Sequence, residues 1–128
     1  MKQRIETPHA PAPIGPYNQA IMVGDLCFLS GQIALSPVTG QMMQENIEQE
    51  TTQVLENMKA VLQAAKMDMT NVVKCSIFIT DMGQFAAINE VYGKYFTDVA
   101  PARETVQVAA LPKGAQVEIS CIAVKSTL

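Results

Sequence analysis

Residues 99–124 read VAPARETVQVAALPKGAQVEISCIAV. The spacing predicts two short strands, over 105–110 and 116–124, joined by a turn at Leu111-Pro112-Lys113-Gly114. In the first, Val106, Val108 and Ala110 point one way and Thr105, Gln107 and Ala109 the other. In the second, Val117, Ile119, Cys121 and Ala123 share one face, and Gln116, Glu118 and Ser120 the opposite one. Two charges interrupt this apolar text. Arg103 follows Pro101-Ala102, where the first strand begins, and Glu118 sits inside the second strand. If the two strands pair, a guanidinium at a strand mouth and a carboxylate on a strand line one small pocket. Each residue also has a plainer reading. Arg103 can be half of a surface ion pair, and Glu118 can mark the solvent side of a half-buried sheet.

Working outward, the 128 residues favour one domain spanning 1–128, long enough to bury a real core. Hydrophobic residues make up 48% and charged residues 16%, which is too apolar for disorder and charge-poor for a small monomer. The surplus apolar surface points to a subunit interface. A net charge of −3, with no basic run, argues against a protein that works by neutralising phosphates, and no nucleic-acid partner is expected. No stretch is apolar for long enough to span a bilayer, and the first residues lack the apolar segment of a signal peptide, so no membrane partner and a cytoplasmic location are expected. The three widely spaced cysteines, Cys27, Cys75 and Cys121, fall in predicted strands and read as buried, reduced, small apolar groups. With one histidine, His9, and no CxxC, no metal site is expected.

Pro8, Pro11, Pro13 and Pro16 hold the first segment as an extended arm closed by Tyr17. The Tyr17 phenol is either a packed aromatic with a polar tip or a group aimed at a pocket. Strands over 20–23 and 26–30 form a hairpin, with Gly24-Asp25 as a two-residue turn. Ser30-Gly31-Gln32 then interrupts the apolar run, either as a plain bulge or as an exposed amide and hydroxyl facing a ligand. A helix is predicted over 46–65. Asn46 is its cap and Gln49 completes a capping box. Its apolar stripe is Ile47, Val54, Leu55, Met58, Val61, Leu62 and Ala65, with Glu48, Glu50, Gln53, Glu56 and Gln63 on the other side. A strand over 72–80 follows. Asp81, with Gln84 in the box position, caps a second helix whose inner stripe is Phe85, Ile88, Tyr92, Tyr95 and Phe96, with Asn89 beside it. This order gives an α+β domain: one mixed sheet with both helices on one face, the other face left for a second subunit.

Five separated motifs appear in order: A-P-x-P-I-G-P-Y-N-Q-A, F-L-S-G-Q-I, F-x-x-I-N-E-V-Y-G-K-Y-F, P-A-R and L-P-K-G-A-x-V-E-I. Together they resemble the RidA/YjgF family of reactive-intermediate deaminases over nearly the whole chain. The resemblance implies a chorismate-mutase-like fold and a homotrimer around a barrel-like core, with clefts between subunits. It implies a hydrolase that converts 2-imino acids and their enamine tautomers (2-aminoacrylate/2-iminopropanoate and 2-iminobutanoate) to 2-keto acids and ammonia, without a cofactor. By motif, Arg103 clamps the substrate carboxylate, the Gly31 amide assists, and Glu118 activates water. Tyr17, Ser30 and Asn89 match pocket positions. Thr105 stands where many close members have cysteine, which leaves the preferred side chain of the imino acid open. The rival from another class is a non-catalytic sensor of small carboxylates using the same pocket with Glu118 idle. Ribonuclease and holdase readings are weaker, since the charge is acidic and only the apolar content favours a holdase.

Overall fold

A computed structural model describes residues 1–126. Six strands form one sheet: β1 (Lys2–Ile5), β2 (Ala20–Val23), β3 (Leu26–Gln32), β4 (Val72–Ile79), β5 (Ala102–Gln107) and β6 (Val117–Val124). Their order across the sheet is β1-β2-β3-β6-β4-β5, antiparallel throughout except for the parallel β4–β5 pair. Two helices, α1 (Ile47–Ala64) and α2 (Phe85–Tyr95), connect β3 to β4 and β4 to β5. The chain is therefore α+β with a single mixed sheet, as the sequence leads one to expect.

Both helices pack on one face, where the alternating strand residues make the core. Cys27 and Leu29, Cys75, Ile77 and Ile79, and Val117, Ile119, Cys121 and Ala123 are all buried there with Leu55, Met58, Leu62, Ile88 and Tyr92. The three cysteines are free and buried. Gly24 opens the β2–β3 turn at φ +59°, a backbone state that glycine adopts without a Cβ penalty. Asn46 caps α1 by accepting from the Gln49 N–H at 2.7 Å. The box is offset by one residue, since Gln49 Oε1 accepts from the Glu45 N–H at 2.7 Å rather than from Asn46.

The structure corrects several expectations. The two strands of the opening stretch do not pair: β4 lies between β5 and β6. The first of them begins at Ala102, three residues earlier than its alternation suggests, because it takes its register from β4 rather than from a hairpin. The joining segment is a 3₁₀ turn, Pro112–Gly114, that serves a crossover. Asp81 caps a separate 3₁₀ turn, Met82–Gln84, by accepting from the Gly83 N–H, and Gln84 makes no capping bond. Glu50, read as a solvent-side residue, is fully buried. Finally, β1 was not anticipated; its four residues are mostly polar and lie on the sheet edge against β2.

The face away from the helices carries Ile21, Val23, Leu26, Phe28, Phe78, Val106, Ile122 and Val124 by register. Val23, Leu26 and Phe28 are each about 40% exposed at the β2–β3 end of this face, an apolar patch that a lone small protein rarely leaves bare; Lys74, Ser76, Glu104, Glu118 and Ser120 lie between it and the equally exposed Val106.

Candidate active site

The seven candidate residues fall into two groups on opposite faces of the sheet. The first group sits on the open face and its margin. Between Leu29 and Gln32 the β3–β6 register slips, so Ser30 and Gly31 bulge beside Ser120. Glu118, level with Phe78 and alternating with buried Val117 and Ile119, points to the open face. Its carboxylate lies directly against Gly31, where a Cβ would meet Glu118 Oε2 at 2.5 Å. Only glycine leaves the carboxylate this position. Partial burial raises the Glu118 carboxyl above its ordinary range.

The proline arm closes over the same bulge. The Ser30 hydroxyl donates to the Asn18 carbonyl at 2.6 Å and the Ser30 N–H to Gln19 at 3.0 Å. Tyr17 Oη accepts from the Ile14 N–H at 3.2 Å, and its ring borders a cleft with Ile14, Gly31 and Ile33. Gln19, which sequence reasoning missed, fixes the arm: its buried amide accepts from the Thr7 N–H and donates to the carbonyls of Thr7, Ala10 and Pro11 at 2.9–3.2 Å. A lone glutamine after a tyrosine gives no local hint of this, because its partners are eight to twelve residues back.

The second group faces the helices. Arg103 is level with Cys75, and Thr105 with Ile77, both core-facing positions of β4. The guanidinium donates to Asn89 Oδ1 at 2.6 Å and lies 5.0 Å from the Tyr92 ring centroid and 5.6 Å from that of Phe85. Phe85, Asn89 and Tyr92 are spaced as one face of α2, so the helix supplies the whole cradle. Sequence reasoning took Phe85 and Tyr92 as core only; their 85/89/92 spacing around an asparagine was the available signal. Burial pushes the Tyr92 phenol well above its ordinary range, so it stays neutral. The neighbouring carboxylate, Glu104, points to the other face and pairs with Lys74 at 2.9 Å. Among the described residues no carboxylate lies within 4.0 Å of Arg103. The Thr105 hydroxyl is buried without a hydrogen-bond partner among them.

Arg103, Thr105 and Asn89 are thus together, and Glu118, Gly31, Ser30 and Tyr17 are together, but the two sets do not meet within one chain. Val106 is level with Glu118 through Phe78, two strands away. Two strand spacings and three residues along β5 separate the Arg103 and Glu118 backbones by roughly 14 Å, with the sheet between the side chains. The pocket expected from direct pairing of their strands does not exist in the single chain.

Residues 7–125 match the Endoribonuclease L-PSP family. Protein DfrA of Myxococcus xanthus is 53% identical over 125 residues, covering 96% of this chain and 95% of that protein. A 2-iminobutanoate/2-iminopropanoate deaminase of Capra hircus is 44% identical over 128 residues, covering 100% of this chain and 93% of that one. The crystal structure of E. coli TdcF with bound serine superposes with a TM-score of 0.93 at 42% identity, covering 97% of this chain and 99% of that one. With motifs, sheet order and near full-length similarity in agreement, this chain belongs to the Endoribonuclease L-PSP family, the RidA/YjgF family that its sequence resembles.

Proposed function

We propose that this protein hydrolyses reactive 2-imino acids and their enamine tautomers, 2-aminoacrylate/2-iminopropanoate and 2-iminobutanoate, to 2-keto acids and ammonia. It acts in the cytoplasm, at sites completed between copies of the chain. Three copies pack their open sheet faces around a barrel-like core, which covers the apolar patch and brings Glu118 of one copy to Arg103 of a neighbour. The observation that carries this reading is the Arg103 guanidinium, held in place by neutral groups and left without an anion among the described residues. A fixed planar fork with its charge uncompensated suits a carboxylate ligand. The deaminase relative at 44% identity supports the chemistry.

The reaction follows from these parts. Arg103 binds the substrate carboxylate, and the Gly31 amide and Tyr17 line the approach to the imine. An enamine first takes a proton from solvent on carbon to become the protonated imine. Glu118, ionised, accepts a proton from a water molecule as the water oxygen bonds to the imine carbon and the C=N π electrons move to nitrogen. The same carboxyl returns that proton to nitrogen and, ionised again, takes the proton of the new hydroxyl as the C–N bond breaks, so the carbonyl forms, ammonia leaves, and the proton passes from Glu118 to solvent. A protonated imine is already a good electrophile, so positioning and one base suffice, worth about 10²–10⁴-fold for the base.

Incubation with threonine dehydratase and threonine tests the proposal. The protein should speed the appearance of 2-oxobutanoate from the released imine, and Arg103→Ala should abolish the effect. Equal acceleration by Arg103→Ala overturns it. Tight 2-oxobutanoate binding by a protein that turns nothing over, whether wild type or Glu118→Gln, replaces it with a sensor.

A further inference from the structure

Glu50 is fully buried in α1 although its helical position reads as solvent-facing. A buried carboxylate with no cation must be held by hydrogen-bond donors, and an apolar side chain would fill the space at lower cost. Three donors reach it. The Gln116 N–H and Gln44 Nε2 donate to Oε2 at 2.7 and 3.2 Å, and Gln116 Nε2 donates to Oε1 at 3.1 Å. The carbonyl of Gln116 in turn accepts from the Thr80 N–H at 3.1 Å. The residue that leads into β6 is therefore gripped on both sides.

Two helical turns along the same face, Asn57 is buried as well. Its amide donates to the carbonyls of Ile33 and Leu35 at 3.0 and 2.9 Å, and its oxygen accepts from Gln53. These bonds hold the exit of β3. Gln116 is two residues before Glu118, and Ile33 is two residues after Gly31. The two polar anchors of α1 thus take hold of both strands on either side of the contact between Gly31 and the Glu118 carboxylate.

We propose that Glu50 and Asn57 are positioning residues: through them α1 fixes the β6 entrance and the β3 exit at the separation that presses the Glu118 carboxylate against Gly31. The catalytic consequence rests on the deaminase reading; the anchoring does not. Glu50→Gln keeps the side chain's volume but turns an NH₂ group toward one of the three donors.

In the dehydratase-coupled assay Glu50→Gln should lower kcat by about tenfold, the scale of a lost hydrogen bond to a charged group. Calorimetric titration with 2-oxobutanoate should leave Kd and stoichiometry within about twofold of wild type, because Arg103 and its cradle are untouched and stoichiometry counts folded sites. Hydrogen exchange should quicken at 116–119, while β1, β2 and β5 keep their wild-type protection. Gln116→Ala removes one donor only and should give the same pattern more weakly; it decides the matter if Glu50→Gln does not fold. Asn57→Leu should loosen 33–35 in the same local way. A fall in kcat matched by the same fall in stoichiometry, or protection lost evenly over the sheet, shows a general structural role and overturns the proposal. So does an unchanged kcat. If the wild-type protein does not accelerate imine hydrolysis, the deaminase reading fails, and the exchange data judge the anchors alone: loosening confined to the two strand ends upholds them, and any other pattern overturns them.

Discussion

A Cβ on Gly31 would stand 2.7 Å from Glu118 Cδ and 3.0 Å from Cγ as well as 2.5 Å from Oε2, so more than the tip of the side chain has to move. Gly31→Ala should swing the carboxylate away into the open face. Turnover is expected to fall about 100-fold, the scale of a misplaced catalytic group, while the melting temperature shifts by only a few degrees, roughly what 1 kcal/mol produces in a domain of this size. The coupled assay beside a thermal melt checks both. Full turnover in Gly31→Ala would mean that the carboxylate's position is immaterial. The raised Glu118 carboxyl makes a second prediction. A base works ionised, so the rate is lost as pH falls through its pKa. The acid limb of kcat/KM should therefore lie above the ~4.3 of an ordinary glutamate. The sign for stability is the reverse. The folded carboxyl binds its proton more tightly than the unfolded one, so stability is lost as pH rises through that same interval. Glu118→Gln should melt above wild type at pH 7 and no higher than wild type below about pH 4. Much of this was open to reading from residue types, since a glycine beside a polar residue in an apolar strand signals close approach. What it approaches was not, because that depends on the pairing of β3 with β6, some ninety residues apart.

At the level of elements, α2 does more than cover the sheet. Phe85, Asn89 and Tyr92 form a rigid cradle that holds the Arg103 guanidinium before any ligand arrives. Asn89→Ala removes a hydrogen bond to a charged group, so the free guanidinium must be ordered by the substrate itself. KM for 2-iminobutanoate should rise about tenfold, or ~1.4 kcal/mol, with kcat nearly constant. Steady-state kinetics with the dehydratase varied as the imine source measures the split; a fall in kcat at constant KM would instead assign Asn89 to the chemical step. Local alternation and capping chemistry made α1, β4 and β6 legible within a residue or two, because each is long or strongly periodic, and the Gly24-Asp25 turn marked the end of the short β2. β1 carries neither signal: Lys2, Gln3 and Arg4 are exposed edge residues that pairing alone organises. The face on which Arg103 lies was equally hidden. A parallel register with β4, set by a helical crossover, determines it, and nothing in 99–124 reports that β4 comes between the two strands.

For the whole molecule, the decisive fact is that one chain sets its candidate residues in two clusters on opposite sides of a sheet, each of which the proposal makes half of a site. Motif resemblance singles out seven residues but cannot say that the fold divides them three and four. If the halves are completed between copies, mixing two inactive proteins should restore activity. Arg103→Ala retains the half built on Gly31 and Glu118, and Glu118→Gln retains the half built on α2 and β5. In a cyclic assembly each site takes one half from each of two neighbours. Random mixing in equal amounts then makes an intact site with probability one half times one half, about a quarter of all sites. Each variant alone should be inactive in the coupled assay. After joint unfolding and refolding, the mixture should show about a quarter of wild-type turnover, and the same two proteins mixed without subunit exchange should show none. A site contained within one chain predicts no recovery under either condition. That outcome would also remove the reason for the bare apolar face, because Val23, Leu26, Phe28 and Val106 are exposed on the side that such an assembly must cover. Phe28→Asp supplies the matching control: it alters neither half-site, yet it should dissociate the assembly in analytical ultracentrifugation and abolish turnover together.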